Sequence, residues 1–267
     1  MAEQQDVITA LAADGDEVDR LVADLSDAQW QLPTPAVGWT ITHQMAHLTA
    51  TFQLAGLAAA DPDGFMAMAS GLGPDFNANV VAAMAPHLGD SPSTLLAKWR
   101  RQRAETERAL AAVPAGQLVP WLVRPLPAPV LAAAGMMELF GHGQDIADTL
   151  GVRPTRTDRL RYLVEFAVRT WDFGYQARKL TPPDTELSFD IVAPSGAHWQ
   201  FGPQDATNRV SGPAEDLCLL VTRRRHRDDL GLSATGPEAD HWLDIAQAYR
   251  GPAGTGRTPG QFAVPAA

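Results

Sequence analysis

Within the first 150 residues, apolar side chains recur at helical spacing in segments closed off by proline or glycine. That pattern most limits what the chain can fold into. DVITALAADGDEVDRLVADL (6–25) places Val7, Leu11, Val18, Leu21, Val22 and Leu25 near one face, with acids between them. PTPAVGW (33–39) interrupts the pattern at Pro33, Pro35 and Gly38. A second helix is predicted from near Thr40, whose hydroxyl can cap it, through His43 and His47 toward Ala60. Residues 61–92 are rich in Gly, Pro, Met and Asn and predict broken helix. SPSTLLAKWRRQRAETERALAAV (91–113) predicts a third helix, opened by Ser91-Pro92. PAGQLVPWLVRPLPAP (114–129), with five prolines, predicts an extended loop. VLAAAGMMELFGHGQDIADTLG (130–151) predicts a fourth helix ending at Gly151. Amphipathic helices must bury their apolar stripes against one another, and four with one long connection predict an antiparallel bundle.

The pattern changes after GVRPTRTD. A further helix is predicted over roughly 157–179, followed by TPPD. ELSFDIVA and HWQFG alternate as two strands around a Pro-Ser-Gly turn. RVSGPAEDLCLLV and LSATGPEADHWLDIAQAY each read as strand, Gly-Pro, acidic turn and apolar helix. Proline at the first helical position and an acid in the first turn suit the unpaired N–H groups there. The expected class is α+β: a helical bundle over 1–155, a helix plus a small, mainly antiparallel α+β unit over 156–251, and a flexible tail over 252–267.

Charge narrows the function. The net charge of −10 opposes a general nucleic-acid binder, which needs a basic footprint, and opposes an anionic membrane surface. A single cysteine, Cys218, rules out an intrachain disulfide. No run of 18 apolar residues exists, and MAEQQDVITAL lacks the basic and apolar parts of a signal peptide. A cytoplasmic protein acting on a small molecule, monomeric or homodimeric, is expected.

Two motifs carry chemistry. GWTITHQMAHL (38–48) sets His43 and His47 one helical turn apart. ELFGHGQD (138–145) sets Glu138 and His142 four apart, on one face. A Glu-x-x-x-His pair and a His from another helix can hold one face of a divalent metal and leave positions for water or substrate. Asp145 is placed to accept an imidazole N–H and orient a ligand. Glycine on either side of His142 lets another backbone or a ligand come close. A plain hydrogen-bonded pair accounts for Glu138 and His142 equally simply.

PTPAVGWTITHQMAHL resembles the second-helix signature of the DinB-like metal-binding bundles. MELFGHGQDIAD resembles the fourth-helix signature of the mycothiol-dependent maleylpyruvate isomerase family, and VSGPAEDLCLLVTRR its C-terminal domain. The resemblance covers about residues 5–250. It implies metal ligation by His47, Glu138 and His142, with zinc as the expected divalent metal, and mycothiol as cosubstrate. His43 has no counterpart in that pattern. It is a candidate catalytic group as a substrate contact, proton carrier or extra ligand, or else a partly buried histidine bonded to backbone.

The resemblance implies an enzyme that uses a low-molecular-weight thiol for S-transfer or isomerisation of a small electrophile. Hydrolysis or elimination on the same ligands, or metal and small-ligand binding without catalysis, stay open. TRRRHRDD (222–229) concentrates Arg223, Arg224, Arg225 and Arg227 in an acidic protein. Either the cluster offsets a helix dipole, or it clamps a carboxylate of substrate or cofactor. In the second case Arg224 matches the family's arginine best by register, with Arg223 and Arg225 as its neighbours in binding.

Overall fold

The computed structural model describes residues 2–122 and 124–262. Two compact units divide the chain, Met1–Pro154 and Thr155–Ala267. Among the described residues no helix is long and apolar enough to cross a membrane.

The first unit is built on four long helices: α1 (Ala2–Val22), α3 (Ile41–Ala60), α6 (Pro92–Ala112) and α7 (Ala128–Leu150). Three short helices join them: α2 (Asp27–Trp30), α4 (Pro62–Ala69) and α5 (Phe76–Leu88). Their ends follow the local sequence. Asp61, Asp75 and Ser91 accept backbone N–H groups of Gly64, Ala78 and Thr94, and Pro62 and Pro92 open their helices. Gly151 ends α7 in a left-handed conformation, φ 67°. The proline-rich stretch before α7 is not wholly irregular. Two-residue strands β1 (Leu118–Val119) and β2 (Leu126–Pro127) pair antiparallel there.

Contacts fix the helix directions. Arg103 pairs with Asp16 and Arg100 with Asp19, so α6 runs against α1. A Cβ on Gly135 of α7 would lie 3.1 Å from Leu11, and one on Gly143 3.1 Å from Val18, so α7 runs along α1. Gln44 faces His142 and His47 faces Glu138, so α3 runs against α7. It follows that α3 and α6 run the same way. Residues 61–91, with α4 and α5, carry the chain back to the end where α3 began. Trp30, Trp99, Phe52, Leu11, Met45, Leu48 and Met136 fill the core. Phe52 meets Trp99 edge to face at 5.0 Å.

In the second unit, the helix predicted over 157–179 is broken into α8 (Leu160–Arg169) and α9 (Phe173–Ala177). The break has a purpose in packing. It frees the Trp171 carbonyl to accept from Trp242 Nε1 at 2.8 Å, and Gly174 lies where any Cβ would strike the Ile245 carbonyl. Strands β3 (Leu187–Val192), β4 (His198–Phe201), β5 (Asn208–Pro213) and β6 (Ser233–Thr235) order as β4-β3-β5-β6. The β3/β4 and β5/β6 pairs are antiparallel and β3/β5 is parallel. The two Gly-Pro steps lead into α10 (Ala214–Val221) and α11 (Pro237–Ile245), as predicted. Residues 252–262 carry no helix or strand, but Gly260 N–H donates to Asp229 and Phe262 lies beneath Arg225. The rest of the tail lies outside the described residues.

His87, at the end of α5, is a buried histidine whose Nδ1 has no hydrogen-bond partner among the described residues. Burial pushes its pKa below the ordinary 6.5, Lys98 adds to this, and Asp90 opposes it. The folded state therefore binds this proton less readily than the unfolded chain. Stability from the neutral ring is intact above the unfolded pKa and is lost as pH falls below it. Urea titrations at pH 7.5 and 5.5 should show the wild type losing more stability on acidification than His87→Gln. Equal losses would exclude His87 as a contributor.

Candidate metal centre

Helices α3 and α7 each offer three positions on facing sides, Gln44, His47 and Thr51 against Glu138, His142 and Asp145. The i, i+3 and i+4 spacings keep each set on one face, and the antiparallel crossing brings the faces together. Glu138 Oε2 lies 3.3 Å from His47 Nε2 and 3.2 Å from His142 Nε2. The two imidazole centroids are 4.5 Å apart. One donor atom from each residue lies within 4.8 Å of the others, the one such group of three among the described residues. Tetrahedral ligation with arms of about 2.0–2.2 Å puts ligand atoms about 3.3–3.6 Å apart. The carboxylate–imidazole separations observed match that edge, so the residues fit one small divalent cation.

The electrostatics agree. Burial opposes ionisation of Glu138, but hydrogen bonds from His142 and His47, and their charge, outweigh it and hold the carboxyl below the usual carboxylate range. The ligand set is partly open, since the side chains of His47, Glu138 and His142 are 17%, 22% and 13% exposed. A molecule from solvent can therefore reach the donors.

Around the ligands the structure supplies groups that the motif alone did not mark. His142 Nδ1 lies 2.5 Å from Gln44 Oε1. Gln44 Nε2 donates to Thr34 Oγ1 at 2.8 Å and to Asp145 Oδ2 at 3.4 Å. Asp145 is fully buried and meets the ligand sphere through this amide. Trp39 stacks on His142 at 5.8 Å and lies 5.4 Å from the His47 ring. The turn that aims it is tight: Thr34 N–H donates to the Trp39 carbonyl at 2.7 Å, and Gly38 is left-handed, φ 79°. The place of Gln44 three residues before a candidate ligand, on the same helix face, was the one signal for it in the sequence.

His43 stands outside the group of three. Its Nδ1 accepts from the Thr40 backbone N–H at 3.3 Å and lies 2.9 Å from the Thr40 hydroxyl. An imidazole thus takes the reaching-back role that Glu or Gln holds in a capping box. Gly143 serves packing against α1.

The arginine cluster belongs to the second unit and closes α10. Arg223 is left-handed, φ 58°, and Arg224 N–H donates to the Leu219 carbonyl at 2.8 Å. Arg224 and Arg225 side chains also donate to the carbonyls of Thr222 and Arg224. Arg227 pairs with Asp240 at 2.6 Å and Asp244 at 2.8 Å. The backbone bonds close the end of α10, and Arg227 ties the segment after it to α11. Arg223 Nε, by contrast, is buried with no hydrogen-bond partner among the described residues.

Residues 11–147, just over half of the chain, match the family described as mycothiol maleylpyruvate isomerase N-terminal domain. The chain belongs to that family. Two crystal structures of the mycothiol-dependent maleylpyruvate isomerase, one of them a mutant, share the fold with TM-scores of 0.56 at 16–17% identity. Each match covers 88% of this chain and 95% of the solved one. Two Mycobacterium tuberculosis proteins, from strains CDC 1551 and H37Rv, are 41% identical over 96% of this chain and their full length. Both carry the name uncharacterized protein. The isomerase family thus supplies the fold and the bundle, and the geometry above describes this member's own candidate ligand set.

The capping role of His43 is open to test. His43→Ala removes the acceptor for the Thr40 N–H and should cost about 1 kcal/mol of stability, whereas His43→Gln should retain most of it. Thermal melts of both variants, with metal content measured alongside, decide this. Loss of metal in the folded His43→Ala protein would instead make His43 a ligand.

Proposed function

We propose that the protein is a metal-dependent enzyme that uses a low-molecular-weight thiol, mycothiol in the resembling family, for S-transfer or isomerisation of a small electrophile. The observation that carries this reading is the His47–Glu138–His142 donor triangle in a member of the mycothiol maleylpyruvate isomerase family. A bound divalent cation such as zinc lowers the pKa of a thiol, so that the thiolate is available near neutral pH.

The chain's own residues do the rest. His47, Glu138 and His142 hold the cation by two neutral donors and one charge, which leaves it net positive toward an anionic ligand. Trp39 forms an aromatic wall beside both imidazoles. The thiol must come from outside, because Cys218 is fully buried in α10. His43, with Nδ1 committed to the helix cap, keeps Nε2 to contact substrate or carry a proton. Among the arginines, Arg224 with Arg223 and Arg225 forms the candidate clamp for a carboxylate of substrate or cosubstrate. A planar, permanently charged guanidinium suits that role.

Metal content measured after purification should be about one ion per chain and should collapse in His47→Ala and Glu138→Ala. Full occupancy in either folded variant would end the ligand assignment. Cobalt-substituted protein should change its absorption spectrum on adding mycothiol, and turnover of ester or amide substrates without thiol would turn the reading toward a hydrolase.

The clamp is tested by Arg223, Arg224 and Arg225 changed singly to Ala. A residue that pairs with an anion should lose about ten- to a hundred-fold in kcat/KM at normal metal content, equivalent to about 1.5–3 kcal/mol. Unchanged kinetics in all three would leave the cluster as a helix end.

A further inference from the structure

The side chain of Gln44 is held by two neighbours whose hydrogen-bonding roles are fixed. Thr34 Oγ1 donates its proton to the Trp39 carbonyl at 3.0 Å, so toward Gln44 it can only accept. Asp145 Oδ2 also accepts. Both lie on the same side of the Gln44 amide, 2.8 and 3.4 Å from Nε2. The NH2 group must therefore face them and the carbonyl must face the other way. Reversing the amide would turn its oxygen onto a buried carboxylate and leave acceptors facing one another, an arrangement that costs the desolvation of each unpaired group. The carbonyl that results points at His142 Nδ1, 2.5 Å away. An amide oxygen cannot donate, so Nδ1 must carry the proton.

We propose that Gln44 is a positioning residue that keeps a proton on His142 Nδ1, with Asp145 and Thr34 acting through it. This deepens the metal-centre reading and rests on it for its purpose: with the Nδ1 proton held by Gln44, Nε2 is the nitrogen that faces Glu138 and His47, donating to Glu138 in the absence of a cation and able to ligate one by giving up that proton. A ligand histidine's other nitrogen usually bonds a carboxylate or backbone carbonyl. Here a neutral amide makes that bond, and the carboxylate stands one residue further back. The chain from Thr34 through Gln44 to His142 also ties the PTPAVGW turn to the ligand. Trp39 adds a second restraint on the same ring by stacking within 18° of parallel.

Free imidazole side chains favour the Nε2–H tautomer, so the proposal can be read spectroscopically. In metal-free full-length protein at about pH 9, where histidine is ordinarily neutral, long-range proton–nitrogen spectra should show a proton on His142 Nδ1, whether or not Nε2 also carries one toward Glu138. Gln44→Leu should lose the Nδ1 proton and leave Nε2–H alone. The same variant should keep one metal per chain but bind it about 10–100-fold more weakly, measured by competition with a chromophoric chelator. Gln44→Glu alone sets two buried carboxylates together and should be destabilised. Adding Asp145→Asn supplies an amide donor to the new carboxylate, and the Thr34 hydroxyl can turn from the Trp39 carbonyl, which keeps the Thr34 N–H, to donate to it as well; the double variant should recover folding, the Nδ1–H signal and most of the metal affinity. A wild-type His142 whose Nδ1 carries no proton, or an unchanged Nδ1 signal and affinity in Gln44→Leu, overturns the proposal. Should Gln44→Leu not fold, failure of the double variant to regain the Nδ1–H signal overturns it instead. A wild-type protein that shows Nδ1–H yet binds no metal sinks the metal-centre reading while leaving the tautomer assignment standing.

Discussion

One carboxylate joins the two helices that matter most. Glu138 of α7 reaches His47 of α3 and His142 of its own helix through a single oxygen, Oε2, at 3.3 and 3.2 Å. Polar groups in an otherwise apolar helix seam are costly unless each finds a partner. The surrounding structure supplies those partners in sequence: Gln44 for His142, Thr34 and Asp145 for Gln44, and the Trp39 carbonyl for Thr34. The turn before α3, the start of α3 and the second half of α7 are thus parts of one hydrogen-bonded network.

The remainder of the bundle holds that seam in register. Small residues let α7 lie close to α1, since a Cβ at Gly135 or Gly143 would crowd Leu11 or Val18. On the other side, buried Thr106 of α6 donates to the Phe52 carbonyl of α3 at 2.7 Å, and Gly56 leaves room for it. The depressed pKa of Glu138 follows from the same closeness: two imidazoles on one carboxylate outweigh the burial that would otherwise raise it. A centre of negative charge beside two neutral donors, partly open to solvent, is suited to a cation that must also meet an outside ligand.

Much of this was written in local sequence. Helical periodicity, with Ser91-Pro92 as an opening and Gly151 as the stop, set the four long helices, and the Gly, Pro, Met and Asn content marked the broken 61–92 stretch. The Gly-Pro steps at 212–213 and 236–237 marked the starts of α10 and α11 correctly. The Glu138/His142 pair was legible because two groups four apart on a helix must share a face. His47 could be joined to them only through resemblance to a family. The predicted helix over 157–179 failed at Thr170, because the gain from breaking it lies with Trp242 and Ile245, which come 70 or so residues later.

What the sequence by itself determined was the set of helices, their faces and the residue types able to hold a metal, because each depends on neighbours within a turn or two. Which face meets which was decided only in the tertiary structure. The contacts that build the centre span 91 residues from His47 to Glu138, 98 from Gln44 to His142 and 101 from Gln44 to Asp145. Over such separations no periodicity links the partners. Their meeting depends on the antiparallel crossing of α3 and α7, set by packing across the whole bundle. For that reason Gln44 reads as one more polar residue in the chain, and becomes the group that orients His142 only once the helices are packed.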